Sequence, residues 1–233
     1  MSLKNIRLKT PEYEDIVPST GESVKYRPFT VAEEKLLLIA SESSDNKQIA
    51  DSMRKIITNC TGLDTNTIAY YDIEYLFTKI RSKSVGEIAT VKFNCEKCEA
   101  ENDIGIELDK VKISKTEGHT NSIKLDDNLV FVMKDPQLEV LSMYDENKNS
   151  VDNIVEIICN SIKNVQLDDE IIEVSSADIT DAKNLVEQLT SDQFKMLSAF
   201  FDTMPKTSID IEYECIKCSE INKKNLEGMH NFF

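Results

Sequence analysis

Four of the six cysteines in this chain stand in two matching pairs. Cys95-Glu-Lys-Cys98 and Cys215-Ile-Lys-Cys218 each separate two thiols by two residues. That spacing lets both sulfurs of a tight turn reach one ion. A single pair is a weak sign of a metal. Two pairs on matching surroundings predict one tetrahedral four-thiolate zinc site. The surroundings do match. Val91-Lys-Phe93-Asn precedes Cys95, and Ile211-Glu-Tyr213-Glu precedes Cys215. Asn102 and Asn222 follow the second cysteines at the same distance.

Such a site is structural. Catalytic zinc keeps an open position for water and takes His or carboxylate among three protein ligands. Four cysteines close the coordination sphere. His119 and His230 do not stand at ligand spacing from any cysteine. A redox role fits poorly, because redox Cys-x-x-Cys pairs open a helix whose dipole lowers the thiol pKa. Here β-prone residues precede each pair and polar ones follow. Cys60 and Cys159 stand alone in helical patterns and read as buried apolar thiols. No Gly-rich phosphate loop, nucleophile elbow or EF-hand spacing is present. Acidic pairs such as Asp126-Asp127 and Asp168-Asp169 read as solvated turns. The sequence therefore predicts no catalytic residues and no small-molecule substrate.

The totals agree. The chain has 233 residues, enough for one large or two small domains, and 40% of them are hydrophobic. Its net charge of -15 argues against nucleic acid and anionic membranes as partners. No apolar run is long enough to span a bilayer, and the first residues carry no apolar signal core. The chain reads as cytosolic. Six cysteines are too few for a disulfide scaffold in a chain of this length.

The elements that must carry the cysteines form two cycles. Residues 1–21 read as an extended arm. A strand over 22–29 leads to the capping box Thr30-Val-Ala-Glu33. The helix that follows carries Leu36-Leu-Leu-Ile-Ala40, apolar nearly all round, and is expected at the centre of a core. A second helix runs to Cys60 with Ile49, Met53, Ile56 and Ile57 on one face. A third, from Ala69 to about Lys83, turns Ile73, Leu76, Phe77 and Ile80 inward. The first cysteine hairpin follows, over 88–108. The second cycle opens with a strand pair over 122–134, turning at Asp126-Asp-Asn128. A short helix runs from Gln137 to Met143, and a loop covers 145–150. A helix over 151–165 buries Ile154, Ile157, Ile158 and Ile162. A small hairpin near 168–174 comes next. Two helices, 176–189 and 191–203, lead to the second cysteine hairpin and an aromatic tail, Phe232-Phe233. The order of elements repeats, apart from an extra piece around 170–187. The expected fold is α+β and internally duplicated. Its parts are an arm (1–21), a first repeat (22–112) and a second repeat (113–233). The shared zinc site joins the two repeats.

Three stretches carry a resemblance: Pro18-Ser-Thr-Gly21, Tyr26-Arg-Pro-Phe29-Thr-Val-Ala-Glu-Glu-Lys-Leu-Leu-Leu38, and Asp72-Ile-Glu-Tyr-Leu-Phe77-Thr-Lys-Ile-Arg-Ser-Lys-Ser-Val-Gly86. With them the chain resembles the baseplate hub subunit and hub-assembly proteins of T-even-like contractile-tailed phages. The resemblance implies a non-enzymatic virion or assembly protein that helps build the central hub, with other baseplate and hub proteins as partners. It implies a place in the virion tail baseplate after assembly in the host cytoplasm. An assembly chaperone absent from the mature particle is the alternative within the family. A zinc-ribbon adaptor is the alternative outside it. Arg27, Phe29, Arg81 and Lys83 are candidate partner-binding residues. The competing reading is that they only hold a strand end and a helix end. The zinc rests on the cysteine spacing alone.

Overall fold

The computed structural model describes residues 9–42, 46–142 and 150–228. Mixed helix and strand make it α+β, as the alternating patterns require. In chain order, β1 (Tyr13–Ile16) and β2 (Ser23–Tyr26) are followed by α1 (Val31–Ser41), α2 (Asn46–Thr61) and α3 (Tyr70–Ser84). Then come β3 (Ile88–Asn94), β4 (Glu101–Glu107), β5 (Lys112–Ser114), β6 (Ser122–Lys124) and β7 (Leu129–Met133). After α4 (Leu138–Ser142) and α5 (Ser150–Ser161) lie β8 (Ile162–Leu167) and β9 (Glu170–Glu173). The chain closes with α6 (Ile179–Val186), α7 (Ser191–Thr203), β10 (Lys206–Glu214) and β11 (Ile221–Glu227). Residues 1–8, 43–45, 143–149 and 229–233 are outside the described residues, so 145–149 of the expected loop, His230, the Phe232-Phe233 tail and the first part of the arm are too.

The chain divides into two compact units. One holds Met1–Glu42, Asp51–Ile113 and Thr207–Phe233; the other holds Ser43–Ala50 and Ser114–Lys206. The second cysteine hairpin is grouped with the first. The reason is visible in the first unit's packing. Ala89, Ile106, Leu108 and Val111 from the first hairpin region share one core with Ile209, Ile211 and Tyr213 of β10. Alternate residues of each strand point to the same side, so the two hairpins bury one face together.

Within the first unit, α3 occupies the centre. Ile73, Leu76 and Ile80 are fully buried, and so are Asp72 and Thr78. Each polar group has its partner. Asp72 accepts the N–H of Ala69 at 2.9 Å, capping the helix, and that of Ser19 at 2.8 Å. Thr78 donates to the Glu74 carbonyl, and Lys79 to that of Asp109. The bond to Ser19 and one from Tyr75 to Asp15 hold the β1–β2 hairpin in place. Residues 13–16 of the expected arm are thus a paired strand, with Tyr13 opposite Tyr26.

The expected place of α1 is corrected. Val31, Leu38 and Ile39 are more than half exposed, while Glu33 and Ala40 are buried. Five consecutive apolar residues point all round a helix, and one packing surface covers only one side. The capping box forms as expected, with Glu33 as its carboxylate. On α2, Met53, Ile56, Ile57 and Cys60 are buried as the periodicity predicts.

The second unit is a four-stranded antiparallel sheet, ordered β6-β7-β8-β9, with α5, α6 and α7 against it. Its core centres on Phe131, Met133, Ile158, Ile162, Leu197 and Phe200. The long helix expected over 151–165 stops at Ser161. Ile162 and Val165 are strand residues instead, and Val165 pairs with Phe131 of β7. β-Branched residues pack well on a pleated surface, and a ready partner strand decides the matter. Ile158 and Ile162 are buried, but Ile154 is 38% exposed. Cys60 and Cys159 are buried free thiols, and burial pushes both up to about 11.

Glu33 offers a test of the first unit's polar interior. Burial alone would raise its pKa, but hydrogen bonds from Arg27 and Thr30 outweigh this and hold it near 2. The folded pKa lies below the ordinary 4.5. The contribution is therefore complete above that value and is lost as pH falls toward 2. Glu33→Gln is expected to lower the unfolding free energy by about 2 kcal/mol at neutral pH, and the gap to close as pH approaches 2. Urea unfolding across that pH range checks it.

Candidate metal centre

Each cysteine pair sits in a tight turn at the tip of an antiparallel hairpin. In the first, β3 pairs with β4 from Ile88↔Glu107 to Asn94↔Glu101. In the second, β10 pairs with β11 out to Glu214↔Ile221. The turns are built alike. The Cys95 N–H donates to the Ala100 carbonyl, and that of Cys215 to Glu220, both at 2.9 Å. Glu99 and Ser219 return to the carbonyls of Cys95 and Cys215. Both take the left-handed conformation, with φ of 57° and 55°. The N–H groups of Lys97 and Lys217 point at the Cys95 and Cys215 sulfurs at 3.4 Å. Backbone donors of this kind stabilise thiolates.

The hairpins face each other tip to tip. Cys95 Sγ lies 3.6 Å from Cys218 Sγ, and Cys98 Sγ lies 3.6 Å from Cys215 Sγ. All four sulfurs lie within 4.8 Å of one another. A tetrahedron of thiolates about 2.3 Å from one ion has sulfur–sulfur edges of about 3.8 Å. A disulfide would need about 2.05 Å. The four thiols are free and spaced for a shared ion, so they could hold a metal.

The two turns are clasped by their asparagines. Asn102 Oδ1 accepts the Ile216 N–H at 2.9 Å, and Asn222 Oδ1 accepts the Glu96 N–H at 3.0 Å. Each amide also donates back to its own turn, to the carbonyls of Ala100 and Glu220. Asn222 Nδ2 lies 3.6 Å from Cys95 Sγ as well. Both asparagines are buried. Their sequence position matched between the copies, but their role went unread there. The invariant spacing after each Cys-x-x-Cys was the available signal. Phe93 stacks on Tyr213 at 5.9 Å beneath the turns. Exposed ion pairs Lys97–Glu220 and Lys224–Glu96 cross the same junction and add little.

The thiols respond unequally to this setting. Burial opposes charge on Cys95, but the N–H groups of Lys97 and Cys98 and the Asn222 amide outweigh it and bring its pKa to about 6. The Lys217 N–H lowers that of Cys215. Cys218 accepts from the Glu220 N–H, yet its neighbours Cys98, Cys95 and Cys215, together with burial, push it up to about 12. Four sulfurs this close cannot all ionise without a cation among them.

The other predicted site residues lie elsewhere. Arg27 pairs with Glu33 at 3.0 Å and donates to the Pro28 carbonyl. The Phe29 N–H donates to Ser84 Oγ, and its ring packs on Phe77 at 5.7 Å. Lys83 pairs with Glu87 and Asp109, and Arg81 is half-buried. His119 lies in the second unit, 3.0 Å from Thr203 Oγ1 and packed on Phe200. Among the described residues, the four cysteines are the one cluster of metal-ligating side chains, and no helix is long and apolar enough to cross a membrane.

The fold and the site together define an α+β protein whose distant cysteine turns are clasped into one closed four-sulfur centre. The chain matches the family model described as T4 bacteriophage base plate protein over residues 10–233, and it belongs to that family. No curated protein and no solved structure matches it. Membership implies a place in a phage tail and association with other baseplate proteins.

Removing either clasp should weaken metal capture while leaving the hairpins folded. Asn222→Ala is expected to lower zinc affinity by about 10–100-fold, and Asn102→Ala by less, since only Asn222 reaches a sulfur. Competition with a chromophoric chelator measures both.

Proposed function

We propose that this chain is a non-enzymatic structural component of the baseplate hub that takes part in hub assembly, with one structural Zn²⁺ held by Cys95, Cys98, Cys215 and Cys218. The reciprocal clasp carries this reading. It places four thiolate donors around one point and fills the surrounding positions with backbone and asparagine groups. The four ligand positions are all cysteine, with no His or carboxylate in the cluster. Zinc suits a closed four-thiolate site and is redox-silent. Binding it can return on the order of 10 kcal/mol, against a loop-closure cost that grows only logarithmically with length. The ion would tie two segments 120 residues apart into a rigid body.

The symmetry of the site also supports an internal duplication. Both cycles run hairpin, helices, cysteine hairpin, and the second adds β8 and β9. The two turns share their backbone bonds and the reciprocal asparagine bonds, and they differ in the contact from Asn222 to Cys95 Sγ. We read Arg27, Phe29, Arg81 and Lys83 as supports that seat the first hairpin and α1 on α3, in preference to a partner surface. Cysteine hairpins whose strands share one core fit a scaffold better than a separable zinc-ribbon adaptor.

Metal analysis of the purified chain is expected to find one zinc per molecule. Cys215→Ser should lose it together with solubility, and cobalt substitution should give the strong visible absorption of a tetrahedral thiolate complex. Unchanged metal content in Cys215→Ser would sink the shared site. Quantitative mass spectrometry of purified virions and infected-cell lysate tests the hub role. Fixed stoichiometry with other baseplate proteins is expected in the particle. Abundance in lysate with absence from virions would make the chain an assembly factor.

A further inference from the structure

The second unit carries an open sheet edge beside an apolar groove. β9 is the last strand of its sheet, and its outer backbone groups pair with no strand among the described residues. Edges are commonly blunted by shortness, by charge, by proline or by a bulge. β9, Glu170-Ile-Ile-Glu173, is short and has a glutamate at each end, but it carries no lysine, proline or bulge, and its two central residues are isoleucines. Ile171 and Ile172 are 64% and 52% exposed, on opposite faces of the strand. On the Ile172 face, β8, β9 and α6 enclose a groove of about 370 Å³. Ile162, Val165, Val174 and Leu185 form its floor and walls. Its charged lining is all acidic: Glu173, Asp178 and Asp181. The adjoining turn adds Asp168 and Asp169.

We propose that this edge and groove receive an extended, basic and apolar segment of another baseplate protein, added to the sheet as a strand beyond β9. The backbone edge would give the hydrogen bonds, and the groove would take the segment's apolar side chains at every second position. Lysine or arginine on the segment would meet the acidic rim. Charge also selects against a second copy of this chain. Two β9 strands paired antiparallel would set Glu170 across from Glu173 twice, and like charges directly opposite destabilise a ladder. Two chains of net charge -15 would repel each other further. The proposal does not depend on the zinc site, which lies in the other unit.

The test is fluorescence anisotropy of the full chain with a short labelled peptide alternating lysine and isoleucine. Saturable binding is expected. Ile172→Lys and Asp181→Lys alter exposed side chains, and circular dichroism verifies that each variant is folded. Ile172→Lys is expected to weaken binding by about tenfold or more, and Asp181→Lys by a smaller factor. N-methylation of alternate amides along the peptide's pairing edge should weaken it comparably. Binding should fall with added salt and survive zinc chelation, so failure of the metal assignment would leave this result standing. Three results would overturn the proposal: equal affinity for the peptide with glutamate in place of lysine, indifference to both Ile172→Lys and N-methylation, or self-association of the chain that Ile172→Lys abolishes. The last would make the edge a contact between copies.

Discussion

Two buried asparagine side chains decide the shape of the first unit. Asn102 reaches across to the backbone of the second cysteine turn, and Asn222 reaches back to the first. A buried amide oxygen left without a partner costs about 1–3 kcal/mol, so each buried asparagine depends on the opposite turn to satisfy it. The cysteine sulfurs are brought together by that exchange. Beneath it, Phe93 and Tyr213 stack and the strands share one core. Clasp, ring stack and core all draw on the same two hairpins, and none is complete with only one of them.

The interior of that unit is held by a similar logic of paired polar groups. α3 is central although it carries Asp72, Glu74, Thr78, Lys79 and Ser82 among its buried residues. Side chains that cap the helix, close on carbonyls one turn back or reach Asp109 remove the penalty of burying them. α1 shows the opposite case. Its apolar run is richer, yet much of it faces outward. Hydrophobic content alone does not assign the centre of a fold; the number of surfaces available to a helix does.

The two units differ in what they present. The first unit holds the asparagine clasp and the four cysteines. The second presents an unpaired strand edge and an acidic rim.

The sequence alone determined much of this. Duplicate spacing made the four cysteines legible as one site, since zinc chemistry depends on residue type and short-range distance. Strong periodicity made α2, α3, α7 and the two hairpins legible, and Thr30 with Glu33 marked the start of α1. The order of elements and the family resemblance were legible as well. Tertiary structure decided the rest. It ended α5 at Ser161, because β7 offered Ile162 and Val165 a partner strand. It exposed Leu38 and Ile39, because only one face of α1 has a surface to meet. It placed the second cysteine hairpin with the first unit, because burial of facing strands is non-local and local patterns carry no record of it. It also gave Asn102 and Asn222 their role, since a side chain's partner 114 or 126 residues away is set by packing and not by sequence spacing.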